Sequence, residues 1–212
     1  MKTLGWIIGL VAIVGLLTGI VLFDSRQQQA AVTVPDEVGR VADDEWVDGP
    51  SNARVTLIEY GDFQCPACAF FAPQLRQLRT DVPNDLRLVF RQFPLKNIHA
   101  HADEAARVSE AAGNQGKFWE MYDLLYAKQS EWAGEKDAHD LFHGYGREIG
   151  LDDAQFETDL ESDATKDAVN DDIQSANAAK VDSTPTFILN GERIANPKSY
   201  DEFKALIQAK LQ

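Results

Sequence analysis

Cysteine is nearly absent from this chain: there are two in 212 residues, Cys65 and Cys68, three positions apart. That excludes a disulfide-stapled scaffold and leaves a cysteine-based metal site short of ligands. Positive charge is also scarce, with 20 Lys and Arg against 34 Asp and Glu and a formal net charge of −14. No basic cluster with interleaved aromatics occurs, so nucleic acid and anionic lipid headgroups are poor electrostatic partners. Internal repeats are missing. The acidic stretch "DLESDATKDAVNDD" lacks the Asp-x-Asp-x-Asp-Gly spacing of a calcium loop and reads as a solvated helix face. With 44% hydrophobic and 25% charged residues, what remains is the composition of an ordinary folded globule.

One long apolar run stands apart. "LGWIIGLVAIVGLLTGIVLF", Leu4 to Phe23, is uncharged and 20 residues long, enough to span a bilayer's hydrocarbon core. A cleaved signal peptide has a shorter apolar stretch closed by a small-x-small site, whereas this run passes directly into Asp24. Residues 1–25 are therefore expected to form an uncleaved single-pass anchor, with late cleavage as the alternative, the nearest small pair being Ala30–Ala31; no cysteine follows for a lipid anchor. Gly5, Gly9, Gly15 and Gly19 make two small-xxx-small pairs of a kind tolerated in membrane spans. Lys2 before the run and Arg26 after it give little bias to its orientation. Residues 26–45 are polar, without a sustained period, and read as a tether.

Past the tether, Gly49–Pro50 marks a turn, and the near-continuous apolar run Val55 to Tyr60 predicts a strand buried on both faces. Helix signals begin at Cys65, because Pro66 suits a first helical position, where its missing N–H is not needed. Phe71, Leu75 and Leu78 give that helix its core face, and Pro73 falls inside it as a kink. A second strand is expected over Leu86 to Phe93. From about 97 to 180 the pattern is helical, including the stripe Phe118, Met121, Tyr122 and Leu125 and an N-cap at Asp152. His99 and His101 are assigned to the first of these helices, as surface or helix-packing residues. "TFILNGERI" predicts a hairpin turning at Asn190–Gly191, followed by a last amphipathic helix carrying Phe203, Leu206, Ile207 and Leu211.

The order is thus β, α, β, a long helical stretch, β, β, α. A cysteine opening a helix faces unpaired backbone N–H groups and the positive end of the helix dipole, both of which favour thiolate over thiol. Cys65 is then a nucleophile, and Cys68, one turn on, is the partner that closes a disulfide or resolves a mixed one. A structural staple fits poorly, since so short a loop removes little unfolded-state entropy. A zinc site from Cys65, Cys68, His139 and His143 also fits poorly, because about 70 residues separate the two pairs. Two inert buried thiols are the remaining alternative. Thr184–Pro185, directly before a strand, is a candidate cis peptide that would leave the Thr184 backbone free to pair with an extended substrate.

"VTLIEYGDFQCPAC", the insertion with "KFWEMYDLLYAKQ", and "VDSTPTFILNG" together resemble the DsbA-like thiol–disulfide oxidoreductases of the thioredoxin superfamily, in their membrane-anchored bacterial branch. The resemblance covers Trp46 to Gln212. It implies an α/β thioredoxin-like fold over 46–212 with an inserted α-helical domain at about 97–180, preceded by the N-terminal transmembrane helix. It implies Cys65 as nucleophile, Cys68 as resolving cysteine, Pro66 and Ala67 between them on the active-site helix, and Thr184–Pro185 as the substrate-binding cis-proline loop. It gives Glu59 the place of a buried acid that shuttles protons to Cys68.

The sequence departs from the family pattern at two places. Ala67 stands where the strongest oxidants carry His, which removes a hydrogen bond to the thiolate, and Ser183 stands where Gly is common. The expected activity is a disulfide-donating oxidase for reduced or unfolded cysteine-containing proteins. Its catalytic domain would lie on the extracytoplasmic side of the cell membrane, and an integral membrane quinone-coupled partner would reoxidise it. No cofactor is implied beyond the redox-active Cys65–Cys68 pair. A reductase or isomerase using the same dithiol, or a non-catalytic thioredoxin-fold binding module, are the rivals.

Overall fold

The computed structural model describes residues 32–212. The anchor expected over 1–25 and the first tether residues, 26–31, lie outside the described residues. Among those described, no helix is long and apolar enough to cross a membrane.

Two parallel strands, β3 (Val55–Gly61) and β4 (Leu86–Gln92), form the centre of the sheet, in register from Val55 opposite Leu86 to Gly61 opposite Gln92. Helix α2 (Pro66–Asp81) connects them, as a parallel pair requires. Beside β3 runs antiparallel β5 (Thr186–Leu189), joined to β6 (Glu192–Ile194) by the Asn190–Gly191 turn. Both turn residues have positive φ, 49° and 81°, as a two-residue hairpin turn asks of Asn-Gly. With β1 (Val32–Thr33) and β2 (Trp46–Asp48), the order across the sheet is β1-β6-β5-β3-β4-β2.

Alternation along β3 divides its side chains between two cores. Val55 and Leu57 pack with Leu88, Phe187 and Leu189 against Phe71, Leu75 and Leu78 of α2 and against Phe203 and Ile207 of the last helix, α9 (Tyr200–Ala209). Ile58 and Tyr60 face the other way, with Val89 and Ile188, towards Ala176 and Val181. Six helices fill the middle of the chain: α3 (Ala102–Asn114), α4 (Phe118–Ala127), α5 (Gln129–Trp132), α6 (His139–Glu148), α7 (Asp153–Glu161) and α8 (Asp163–Ala178). Asp152 caps α7 by accepting from the Gln155 N–H. Phe118, Met121, Tyr122 and Leu125 of α4 enter a third core with Trp132, Phe142 and Phe156, and this core reaches Phe63, Cys65 and Cys68.

Two expectations change. Of the polar segment assigned to a tether over 26–45, residues 33–45 belong to the folded unit, which begins at Thr33. Helix α1 (Asp36–Gly39) buries Val38, the Val34 N–H donates to the Gly191 carbonyl, and Glu45 pairs with Arg91. These anchors are single residues held by distant partners, so no local period reveals them. His99 and His101 likewise precede α3, with His101 at its N-cap position. His99 Nδ1 lies 2.6 Å from Asp62 Oδ2, while buried His101 sits against the Glu135 carbonyl.

Candidate active site

Strand β3 ends at Gly61, and a short loop brings the chain to Cys65, the N-cap of α2, with Pro66 in its first turn. Cys65 and Cys68 are both free thiols. Cys68 is fully buried, whereas Cys65 retains an exposed edge of 7%. Across from them lies the loop before β5, whose Thr184–Pro185 bond is cis, and the Cys65 thiol is 3.5 Å from the Thr184 carbonyl oxygen.

The two sulfurs titrate in opposite directions. Cys65 is lowered to about 5, first by the Cys68 thiol donating to it, with further help from Thr184 and from the N–H groups of Cys68 and Ala67, against the cost of burial. The helix-opening amides expected from the sequence to dominate thus come behind the neighbouring thiol. Cys68 is raised well above the ordinary thiol range by burial, by its bond to Cys65 and by the charge of Glu59. Such a pair has one thiolate at neutral pH, at the sulfur nearer solvent.

Glu59, on β3, points into the core shared with the insertion and is 1% exposed. Burial raises its pKa to about 8; the Tyr122 hydroxyl, donating to Oε2 at 3.0 Å, works against that shift, and the Cys65 charge adds to it. Its other oxygen, Oε1, has no hydrogen-bond partner. A carboxyl in this condition is protonated near neutrality and holds a free acceptor in an apolar pocket, which suits it to hand over and take back a proton.

Several contributors escaped the sequence reading. Tyr122 appeared only as one member of an apolar helical stripe, yet its hydroxyl is the partner of Glu59. Gln129 donates to the carbonyls of Phe63 and Cys65, and Gln64 to that of Ala133, so the insertion clamps the loop that presents the cysteines. Phe63 is wedged among Phe90, Tyr122 and Tyr126 and closes the pocket beneath them. Only the glutamines had a local signal, as polar residues flanking the cysteine motif and following α4. The zinc set of Cys65, Cys68, His139 and His143 does not assemble: the two histidines gather with Glu157 instead.

A thioredoxin family model matches residues 42–209. The chain belongs to the thioredoxin family. Among solved structures, oxidised BdbD from Bacillus subtilis superposes with a TM-score of 0.72 at 24% identity, covering 85% of this chain and 98% of that one. Wolbachia pipientis alpha-DsbA1 gives a TM-score of 0.73 at 18% identity, with 82% and 94% covered. At these identities the likeness shows the shared fold. Curated relatives include a Na(+)/H(+) antiporter NhaA 1 of Salinispora arenicola, 43% identical over 151 residues, which are 71% of this chain and 22% of that protein. The NhaA antiporter of Herminiimonas arsenicoxydans is 40% identical over 155 residues, 73% of this chain and 23% of that protein. The chain thus spans about a quarter of the length of the curated relatives it matches.

Proposed function

We propose that this protein is a thiol–disulfide oxidoreductase that donates the Cys65–Cys68 disulfide to cysteine-containing proteins outside the cytoplasmic membrane. The observation that carries this reading is the placement of the two sulfurs, Cys65 at the N-cap of α2 with an edge open to solvent and Cys68 fully buried behind it, which lowers the first to about 5 and raises the second. A substrate thiolate attacks Cys65 Sγ, the S–S bond breaks, and Cys68 leaves as a thiolate that takes a proton, with Glu59 as the nearby source. A second substrate thiolate then attacks the substrate sulfur of the mixed disulfide. Cys65 leaves as a stable thiolate, so the substrate is oxidised and the protein keeps two electrons as a dithiol. A thiolate this stable favours the reduced form and makes the disulfide a better oxidant, which is why donation is the favoured direction.

Thr184, whose carbonyl lies against the Cys65 sulfur, receives the substrate backbone together with Pro185. The chemistry uses no cofactor beyond the cysteine pair. The apolar run Leu4 to Phe23 anchors the domain in the cell membrane, where an integral quinone-coupled partner withdraws the electrons. A domain of this kind within longer antiporter chains supports work beside a membrane. The test is a Cys68→Ala variant in cells: it should accumulate mixed disulfides through Cys65, and its native counterpart should be mostly disulfide at steady state. Absence of adducts on an accessible Cys65 contradicts exchange, and a steady-state dithiol contradicts donation.

A further inference from the structure

The helical insertion holds a second cluster of ligand-type side chains that disulfide exchange does not use. His139 and His143 stand one turn apart on α6, Glu157 comes from α7, and one ligand atom from each lies within 4.8 Å of the others. Glu157 Oε2 is 2.9 Å from His143 Nε2 and 3.5 Å from His139 Nε2. Ligands at about 2.0–2.1 Å from a tetrahedral zinc ion stand roughly 3.3–3.4 Å from one another. The two spacings from Glu157 Oε2 to the imidazole nitrogens are therefore already close to the edges of such a tetrahedron.

The remaining ring nitrogens are held as well. His143 Nδ1 is 2.7 Å from Asp153 Oδ1, and His139 Nδ1 is 3.2 Å from Glu104 Oε1. A carboxylate behind each imidazole sets its orientation and tautomer so that Nε2 is presented to a metal, the usual support of a ligating histidine. Without a metal, His143 sits between two carboxylates and needs a proton on each nitrogen to satisfy both. Asp153, Glu157 and Glu104 thus surround two rings with negative charge that a divalent cation offsets. The guanidinium nearby approaches only an outer carboxylate: Arg147 reaches Asp153 at 3.4 Å. His139 and Glu157 are 42% and 48% exposed, which leaves an open side for ion entry and for a solvent ligand.

We propose that His139, His143 and Glu157 form a site for a divalent transition metal of the zinc type, with solvent in the fourth position, that pins α6 to α7 over α3. Nitrogen and carboxylate donors of this kind suit zinc over calcium or magnesium. The site is separate from the sulfur chemistry, because neither cysteine belongs to the cluster.

The test uses the untagged full-length chain carrying Cys65→Ser and Cys68→Ser, titrated with Co²⁺ and then Zn²⁺. One Co²⁺ per chain should bind, with the visible absorption of a low-coordinate nitrogen and oxygen site and no thiolate charge-transfer band. Zinc should displace it and raise the melting temperature. Replacing the ligands by His143→Gln or His139→Gln should weaken binding by at least about tenfold, and Glu104→Gln should weaken it less. His139 is half exposed, so its variant keeps the fold, which circular dichroism checks independently. A cysteine-free chain that shows no cobalt absorption overturns the proposal. So does cobalt binding that survives both histidine substitutions unchanged.

Discussion

Glu59 and Tyr60 are neighbours on β3, yet alternation sends them to opposite faces of the sheet, into two buried polar clusters that differ in how completely their bonds are made. On the Tyr60 side, Arg91 of β4 donates to both oxygens of Glu45, to the carbonyls of Val38 and Arg40, to the Tyr60 hydroxyl and to Ser175. The guanidinium is satisfied on every side, and its work is to hold residues 33–45 and α8 against the sheet. On the Glu59 side, the only donor among the described residues is Tyr122, and neither Glu59 Oε1 nor the Tyr126 hydroxyl has a partner among them. Leaving a buried acceptor unpaired costs about 1–3 kcal/mol. The first cluster completes its bonds, and the second leaves a buried carboxyl short of a partner beside the cysteine pair.

This contrast can be broken by substitution. Arg91→Ala leaves Glu45 without its partner and should cost about 3–5 kcal/mol of stability in denaturant melts. It should leave the Cys65 titration where it was; a shifted Cys65 would mean that the two faces are coupled. Glu59→Gln should do the converse. The fold stays, while formation of the mixed disulfide, the step in which Cys68 leaves and takes a proton, slows by about 100-fold in stopped-flow reaction of the oxidised protein with a dithiol peptide. An unchanged rate would reduce Glu59 to a packing residue.

A smaller effect, read per unit of pH, separates the two redox forms. Cys65 titrates at about 5 when folded, against about 8.5 in an unfolded chain. Its contribution to the reduced form's stability is fully present above about 8.5 and is lost as pH falls through 5. The reduced form should therefore gain on the oxidised form by up to about 1.4 kcal/mol per pH unit within that window. Glu59, raised to about 8, runs the other way, and burial, the largest cause of its shift, acts in both redox forms, so that part cancels from the difference. Melting both forms from pH 4 to 9 checks this, and a gap that stays flat with pH counts against a depressed Cys65.

Legibility in the sequence followed the range of the interactions. The strand Val55 to Tyr60, Pro66 at the head of α2, and the Asn190–Gly191 turn carry local signals, so the frame and the positions of both cysteines were readable. Glu59 is reached through the family resemblance and Thr184–Pro185 as an X–Pro bond directly before a strand, and the structure sets each beside the cysteine pair. What stayed hidden depended on distant partners. Glu45 meets Arg91 across 46 residues, and Trp46 stacks on Phe118 with 4.9 Å between ring centroids. Tyr122 looked like core because its ring is core; its hydroxyl acquires meaning only 63 residues from Glu59. His139 and His143 were visible as a helical pair, but their third partner, Glu157, lies on the next helix and was attributed to nothing.

The central claim, that the chain holds Cys65 as a thiolate, is tested most directly by titrating that sulfur in reduced protein, through thiolate ultraviolet absorbance and the pH dependence of its alkylation. The account predicts a single transition near 5, with Cys68 silent across the neutral range. A transition for Cys65 at the ordinary thiol value of about 8.5 would contradict it.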